Sequence, residues 1–250
     1  MIVLYALVGL VVGGLVNLLA DSLPRRRSVR AVCPACGQPR PALQALAIVA
    51  YLTGRRHCPS CGRLIPIRNL IVEVGTAALF AFLYSYPDYS SNPVKLILAS
   101  FHTSVLILVA ITDLERRLIP NRAILPAIAV AAITSPMWFG PGWYLALVGG
   151  AMGYAFFWLA AVVGGRVIGR GAMGGGDVKL AAYVGLITGF PGVITALVLT
   201  ILAGGIISVL LLLARVVNLR SGIPYGPFLV VGGFVTMVWG AQIVTRFFYG

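Results

Sequence analysis

Only six of the 250 residues are acidic: Asp21, Glu73, Asp88, Asp113, Glu115 and Asp177. The setting of each carboxylate therefore carries information. Asp113 closes the apolar run ending Ile111-Thr112-Asp113, and Asp177 follows Gly174-Gly175-Gly176 and opens another. Two carboxylates at one depth, from separate helices, can meet. In low dielectric such a pair cannot easily ionise twice and shares one proton; the ionised member activates water while the protonated one polarises a carbonyl. That is the chemistry of aspartyl peptide hydrolysis. A helix N-terminus favours Asp177 as the anion and leaves Asp113 as the acid. Gly174 and Gly176 read as a flexible approach that lets a substrate backbone lie beside Asp177. A phosphate cradle would want a preceding strand and a Gly-Lys-Ser/Thr ending, and the sequence has neither. Lys179 reads as a substrate or carboxylate partner, or as a boundary lysine that snorkels to water.

The remaining acids ask for less. Glu115 lies about 200° around a helix from Asp113 and should face elsewhere, toward Arg116 and Arg117. Asp88 sits in the turn Tyr86-Pro87-Asp88-Tyr89, and Asp21 closes the first apolar run beside a basic cluster.

The four cysteines form a second constellation. Cys33-Pro-Ala-Cys36-Gly and Cys58-Pro-Ser-Cys61-Gly repeat one turn, with 21 residues between the pairs. Two such turns supply the four sulfurs of a tetrahedral zinc site, and four sulfurs leave no open position, so the metal would be structural. Disulfides are the alternative. The segment is expected in the cytoplasm, where thiols stay reduced. His57 adjoins Cys58 and reads as a solvated neighbour rather than a ligand.

The elements that must position these groups are membrane helices. Hydrophobic residues make up 60% of the chain and charged residues 10%, against roughly 25% charged in soluble domains. A water-soluble domain and a disordered chain are both excluded. Apolar runs near 2–20, 69–86, 94–112, 123–139, 143–164, 178–188, 193–214 and 227–245 predict about eight transmembrane helices in an all-α polytopic membrane protein. They are continuously apolar rather than alternating, which argues against a β-barrel. The run at 178–188 is too short to cross a bilayer; it should pair with the next helix through Gly189-Phe190-Pro191-Gly192, with Asp177 recessed.

With the N-terminus outside, 17 of the 19 Lys and Arg residues fall on the cytoplasmic side, and only Lys95 and Arg246 do not. The positive-inside rule thus places both aspartates toward the cytoplasm, and the net charge of +13 reports topology rather than nucleic-acid binding. The first run, followed rather than preceded by Arg25-Arg26-Arg27, should persist as an anchor. The expected organisation is a first helix over 1–20, a small cytoplasmic insert over 21–68 that binds zinc through its four cysteines, and a membrane peptidase core over 69–250.

Six blocks carry a family resemblance in one order along the chain: Val12-Gly13-Gly14-Leu15-Val16-Asn17 through Leu23-Pro24; the doubled Cys-Pro-x-Cys; Arg68 to Phe80 with Glu73 and Thr76; Asp113 through Ile119-Pro120-Asn121; Gly174-x-Gly176-Asp177-x-Lys179-Leu180; and Ile223-Pro224-Tyr225-Gly226-Pro227-Phe228. Together they resemble the bacterial type IV prepilin peptidases, GxGD-type aspartyl proteases of the inner membrane. The resemblance implies that Asp113 and Asp177 are catalytic and that the four cysteines are metal ligands. It further implies cleavage of prepilin or pseudopilin precursors on the cytoplasmic side, after a glycine ending a short basic leader.

Members with the zinc insert commonly also methylate the new N-terminus with S-adenosylmethionine. Glu73 is the candidate for that second activity, with interhelical pairing, for example to Asn17, as the plainer role. No nucleotide-binding fingerprint accompanies it. The chain departs from the family pattern at Gly14, Ser22 and Leu70, where Ser, Arg and Pro are usual. A peptidase without methyltransferase activity is therefore the alternative. A proton-coupled transporter also pairs intramembrane acids, but no inverted repeat is present and both aspartates lie toward one face. A zinc-bearing adaptor leaves the aspartates without a purpose. An intramembrane protease of another class would lack the cysteine module and the first block. His102 reads as a packed polar residue.

Overall fold

The computed structural model describes residues 1–24, 32–33, 35–41, 44–167, 174–214 and 224–248. The basic cluster Arg25-Arg26-Arg27 and the connections at 168–173 and 215–223 lie outside the described residues. Among those described, ten helices follow in order: α1 (Ile2–Ser22), α2 (Ala47–Leu52), α3 (Ile67–Ser85), α4 (Pro87–Ser90), α5 (Pro93–Arg116), α6 (Asn121–Phe139), α7 (Tyr144–Val167), α8 (Gly175–Thr188), α9 (Gly192–Leu213) and α10 (Gly226–Phe248). Seven are long and apolar enough to cross a membrane: α1, α3, α5, α6, α7, α9 and α10. The protein is an all-α integral membrane protein, and the eighth apolar run is the short helix α8.

Two compact units form, Met1–Leu108 and Val109–Gly250, with the division inside α5. In the first, α1 lies on α3 through small residues. A Cβ on Gly9 would come within 2.8 Å of Phe80 Cβ, and one on Gly13 within 2.7 Å of the Glu73 Cα. Such close backbone approach is how membrane helices gain packing where lipid supplies no hydrophobic drive. Tyr5 stacks on Phe80 with ring centroids 5.5 Å apart, and its hydroxyl hydrogen-bonds Ser100 Oγ. Asn17 Nδ2 donates to the Asn69 carbonyl at 2.9 Å. Arg68 pairs with Asp21 at 3.1 Å, which ties the C-terminal end of α1 to the N-terminal end of α3.

The second unit is built around α8. Leu180, Tyr183 and Val184 are fully buried, and Ala181 and Ile187 nearly so. Helices α6, α7, α9 and α10 all pack on it. This explains why a helix of 14 residues, rising only about 21 Å, is stable there: it meets protein on every side and has no lipid-facing stripe to extend. Gly149 and Gly153 of α7 let the two backbones touch, since a Cβ on Gly149 would fall 2.8 Å from the Gly189 carbonyl carbon. Gly189, at φ +64°, ends α8 and donates to the Gly185 carbonyl at 2.9 Å. With ψ at 177° the backbone turns sharply out of the helix in a conformation open to glycine. The next helix starts three residues later at Gly192, as the Gly-Phe-Pro-Gly turn predicts.

Candidate active site and metal centre

Asp113 sits near the end of α5 and is 5% exposed. Its Oδ2 accepts the backbone N–H of Gly226 at 2.9 Å. Gly226 is the first residue of α10, so the carboxylate lies at the positive end of a long helix dipole. A Cβ on Gly226 would lie 2.9 Å from Asp113 Cγ; only glycine allows the amide this near. Tyr225 beside it packs against Phe157 and Phe228, with centroids 5.9 and 6.0 Å apart, which anchors the start of α10.

Asp177 is the third residue of α8, whose N-cap is Gly174. Its own N–H donates to the Gly174 carbonyl at 3.1 Å, and the Gly174 N–H reaches back to its carboxylate. This is half of a capping box: the third helical residue reaches back to the N-cap amide, while the N-cap glycine has no side chain to return the bond. Asp113 is near enough to act on the Asp177 charge directly. The two carboxylates, 64 residues apart in the chain, thus lie within electrostatic range of one another, each at a helix N-terminus with one amide donor. The sequence expectation attached a helix dipole to Asp177 alone; Gly226 places Asp113 in the same kind of setting.

Of the flanking residues, Gly174 is exposed and Gly176 is half-buried. Gly176 packs on Ile119, whose Cβ would be 3.0 Å from a Cβ placed there. Lys179 Nζ donates to Asn121 Oδ1 at 2.8 Å. Glu115 is exposed beyond the site. Gly226 lies in one of the blocks that carry the family resemblance, but sequence reasoning gave it no role. It has no side chain to signal chemistry; its one sign is its position, heading an apolar run after Pro224-Tyr225.

The cysteines converge in the first unit. Their four Sγ atoms lie within 4.8 Å of one another, with Cys33 to Cys61 and Cys36 to Cys58 each 3.7 Å. Tetrahedral zinc with bonds of about 2.3 Å requires sulfurs about 3.8 Å apart, and a disulfide would bring them to about 2.0 Å. The sulfurs therefore stand at metal spacing. The two turns have the same construction. Cys33 N–H bonds the Gln38 carbonyl and Gly37 N–H the Cys33 carbonyl; Cys58 N–H bonds Arg63 and Gly62 N–H bonds Cys58, all at 2.8 to 2.9 Å. Gly37 and Gly62 hold φ of +73° and +69°, conformations that suit glycine.

The Cys36 N–H, outweighing burial, brings the Cys33 thiol down to about 6. At Cys61 the Arg63 N–H favours the thiolate, but desolvation and the three neighbouring thiols outweigh it and push the group up to about 12. A divalent cation removes that mutual repulsion. The donor set fits zinc, and His57 is exposed outside the cluster.

Glu73 is 1% exposed. Its Oε1 accepts the Ala47 N–H at 2.7 Å and its Oε2 the Ile48 N–H at 2.8 Å. The carboxylate thereby caps the first turn of α2, inside the cysteine-bearing insert. His102 is buried, 2% exposed.

The fold and these two sites define a polytopic helical membrane protein with a paired-aspartate centre and a four-cysteine cluster. Residues 100–209 match the type IV leader peptidase family, and residues 7–86 match the bacterial peptidase A24 N-terminal domain. The chain is 29% identical over 243 residues to a prepilin leader peptidase/N-methyltransferase of Bacillus subtilis (strain 168), covering 95% of this chain and 94% of that protein. It is 30% identical to proteins of the same description from Pseudomonas putida, over 84% of this chain and 72% of the relative, and from Dichelobacter nodosus, over 87% and 73%. No solved structure matches. The chain belongs to the type IV leader peptidase family.

Proposed function

We propose that this peptidase cleaves the leader of type IV prepilins or pseudopilins by an aspartyl mechanism centred on Asp113 and Asp177. The observation that carries the reading is the meeting of these two carboxylates at the N-termini of α8 and α10, each bonded to one backbone amide. One amide donor apiece stabilises a single negative charge shared by the pair, not two. The ionised member takes a proton from water, which attacks the scissile carbonyl; the protonated member hydrogen-bonds that carbonyl oxygen and then protonates the leaving amine. Gly174 is exposed and leaves room for a substrate backbone beside Asp177; the expected second opening at Gly176 is filled by Ile119.

On this reading the protein lies in the bacterial inner membrane with its N-terminus outside, so that the centre faces the cytoplasm and cuts after the glycine that ends a basic leader. The basic residues on the cytoplasmic side support this orientation. Zinc held by Cys33, Cys36, Cys58 and Cys61 is structural, because four sulfurs fill its coordination.

Methylation of the new N-terminus is the second activity that the relatives' name supports. S-adenosylmethionine would supply the methyl group. Glu73 is the candidate residue for that activity; each of its oxygens accepts one amide of α2, so the same carboxylate also seats the insert.

The test is cleavage of a model prepilin in membranes carrying wild type, Asp113→Asn or Asp177→Asn. Each variant keeps the shape and removes the ionisable group, so each should lose at least about 10²-fold in rate. A variant that cuts at the wild-type rate removes that residue from the mechanism.

A further inference from the structure

Between the two aspartates runs a short strap that holds the second relative to the first. After α5 the backbone passes through Arg117, a non-glycine residue at φ +51°, whose N–H is bonded to the Asp113 carbonyl at 2.8 Å. Left-handed backbone at such a residue is uncommon and persists where its surroundings require it. The following residues reach α8 at two points: buried Ile119 fills the space over Gly176, and Asn121 Oδ1 accepts from Lys179 Nζ at 2.8 Å.

These points bracket Asp177, one residue before it and two after. Positions 176 and 179 share one face of a helix, and Asp177 is turned about 100° from Gly176. The strap thus grips α8 beside the catalytic side chain without occupying its face. Its other end is covalently attached to the helix turn that carries Asp113.

We infer that the Ile119–Asn121 segment sets the spacing of the Asp113–Asp177 pair, with Asn121 and Lys179 as positioning residues. The inference rests on the aspartyl reading above. It assigns Lys179 a structural partner, so the lysine acts on the reaction through Asp177 and not on the substrate. The bond is solvent-exposed, and its loss shifts the end of α8 rather than unfolding the core around Tyr183.

The experiment measures kcat and KM for prepilin cleavage by full-length wild type, Asn121→Ala, Lys179→Met, the double variant and Asn121→Asp, with Asp113→Asn as the inactive control. Misplacement of a catalytic group by a fraction of an ångström to 1 Å costs about 10- to 100-fold in kcat. Each of the first two variants should show a fall of that order with KM within about twofold of wild type. The double variant should fall no further than the worse single one, as expected when two changes remove one interaction. Asn121→Asp keeps an acceptor opposite the ammonium and should retain wild-type kcat.

Melting temperature and metal content separate a positioning loss from a folding loss. A variant whose kcat falls only in step with its folded fraction counts against the inference, as does unchanged kcat in Asn121→Ala. A rise in KM alone for Lys179→Met assigns the lysine to substrate binding and overturns the inference. If wild type and Asp113→Asn cut equally, or neither cuts, the aspartyl reading itself has failed; if wild type cuts and the control does not, the result bears on the strap alone.

Discussion

The amide of Gly226 donates to Asp113 Oδ2 at 2.9 Å, across 113 positions of sequence. This bond brings the start of α10 to the end of α5 and fixes the direction of one carboxylate of the pair. Asp177 is held by its own helix turn, through Gly174. The two side chains therefore differ in the source of their amide donor: Asp177 takes it from its own helix turn and Asp113 from a distant helix.

Gly226→Ala should lose cleavage more heavily than an ordinary helix-start substitution. The added carbon would fall 2.9 Å from Asp113 Cγ, so the carboxylate must turn away from the amide. A drop of at least about 10-fold in kcat is expected, in protein that still melts cooperatively. Wild-type rates in that variant would show that the Gly226 contact does not serve the reaction.

Purified protein should carry about one zinc per chain, bound by four thiolates. Cys33→Ser or Cys58→Ser should reduce the metal to well under half an equivalent, measured by elemental analysis. A strong chelator should lower the melting temperature of wild type and leave that of the already depleted variants unmoved.

Glu73→Gln replaces one of two acceptors with an amide donor facing the N–H groups of Ala47 and Ile48. An unsatisfied buried amide costs about 1–3 kcal/mol. The expected outcome is faster hydrogen exchange over residues 44–53, with the centre of α8 unchanged. Zinc content should fall in Glu73→Ala if the clamp seats the insert. Exchange equal to wild type would mean that the carboxylate is not what holds α2.

Gly153→Leu should destabilise the second unit. A Cβ at this position would already lie 2.9 Å from the Ala181 carbonyl carbon, so α7 and α8 must separate. Overpacking of this kind costs about 1–3 kcal/mol, visible as an earlier thermal transition in detergent. Gly205→Leu, where a Cβ meets open space, is the matched control and should melt as wild type does.

Much of this protein is legible from its residues because a bilayer enforces simple rules. Every crossing segment must satisfy its own backbone, so long apolar runs become helices; seven of the eight expected runs are helices of spanning length, and the eighth is the short one at 178–188. The cysteine turns were equally plain, since the zinc geometry is nearly contained in two short repeats whose backbone bonds are local. A scarcity of acids in an apolar chain singled out Asp113 and Asp177, because burying a carboxylate is costly unless something uses or compensates it.

The tertiary structure decided what depends on which backbones touch. Glu73 appeared in sequence as an isolated acid within a span; its two amide partners lie 25 and 26 residues away, and no period or composition links them. Lys179 shows no sign in sequence that Asn121 receives it. Gly226 matters for what it lacks, a Cβ, and an absent side chain has no chemical signature of its own. Helix formation and metal turns follow from near neighbours in the chain, whereas the spacing of two carboxylates is set by packing among α5, α8 and α10, which only the folded chain brings together.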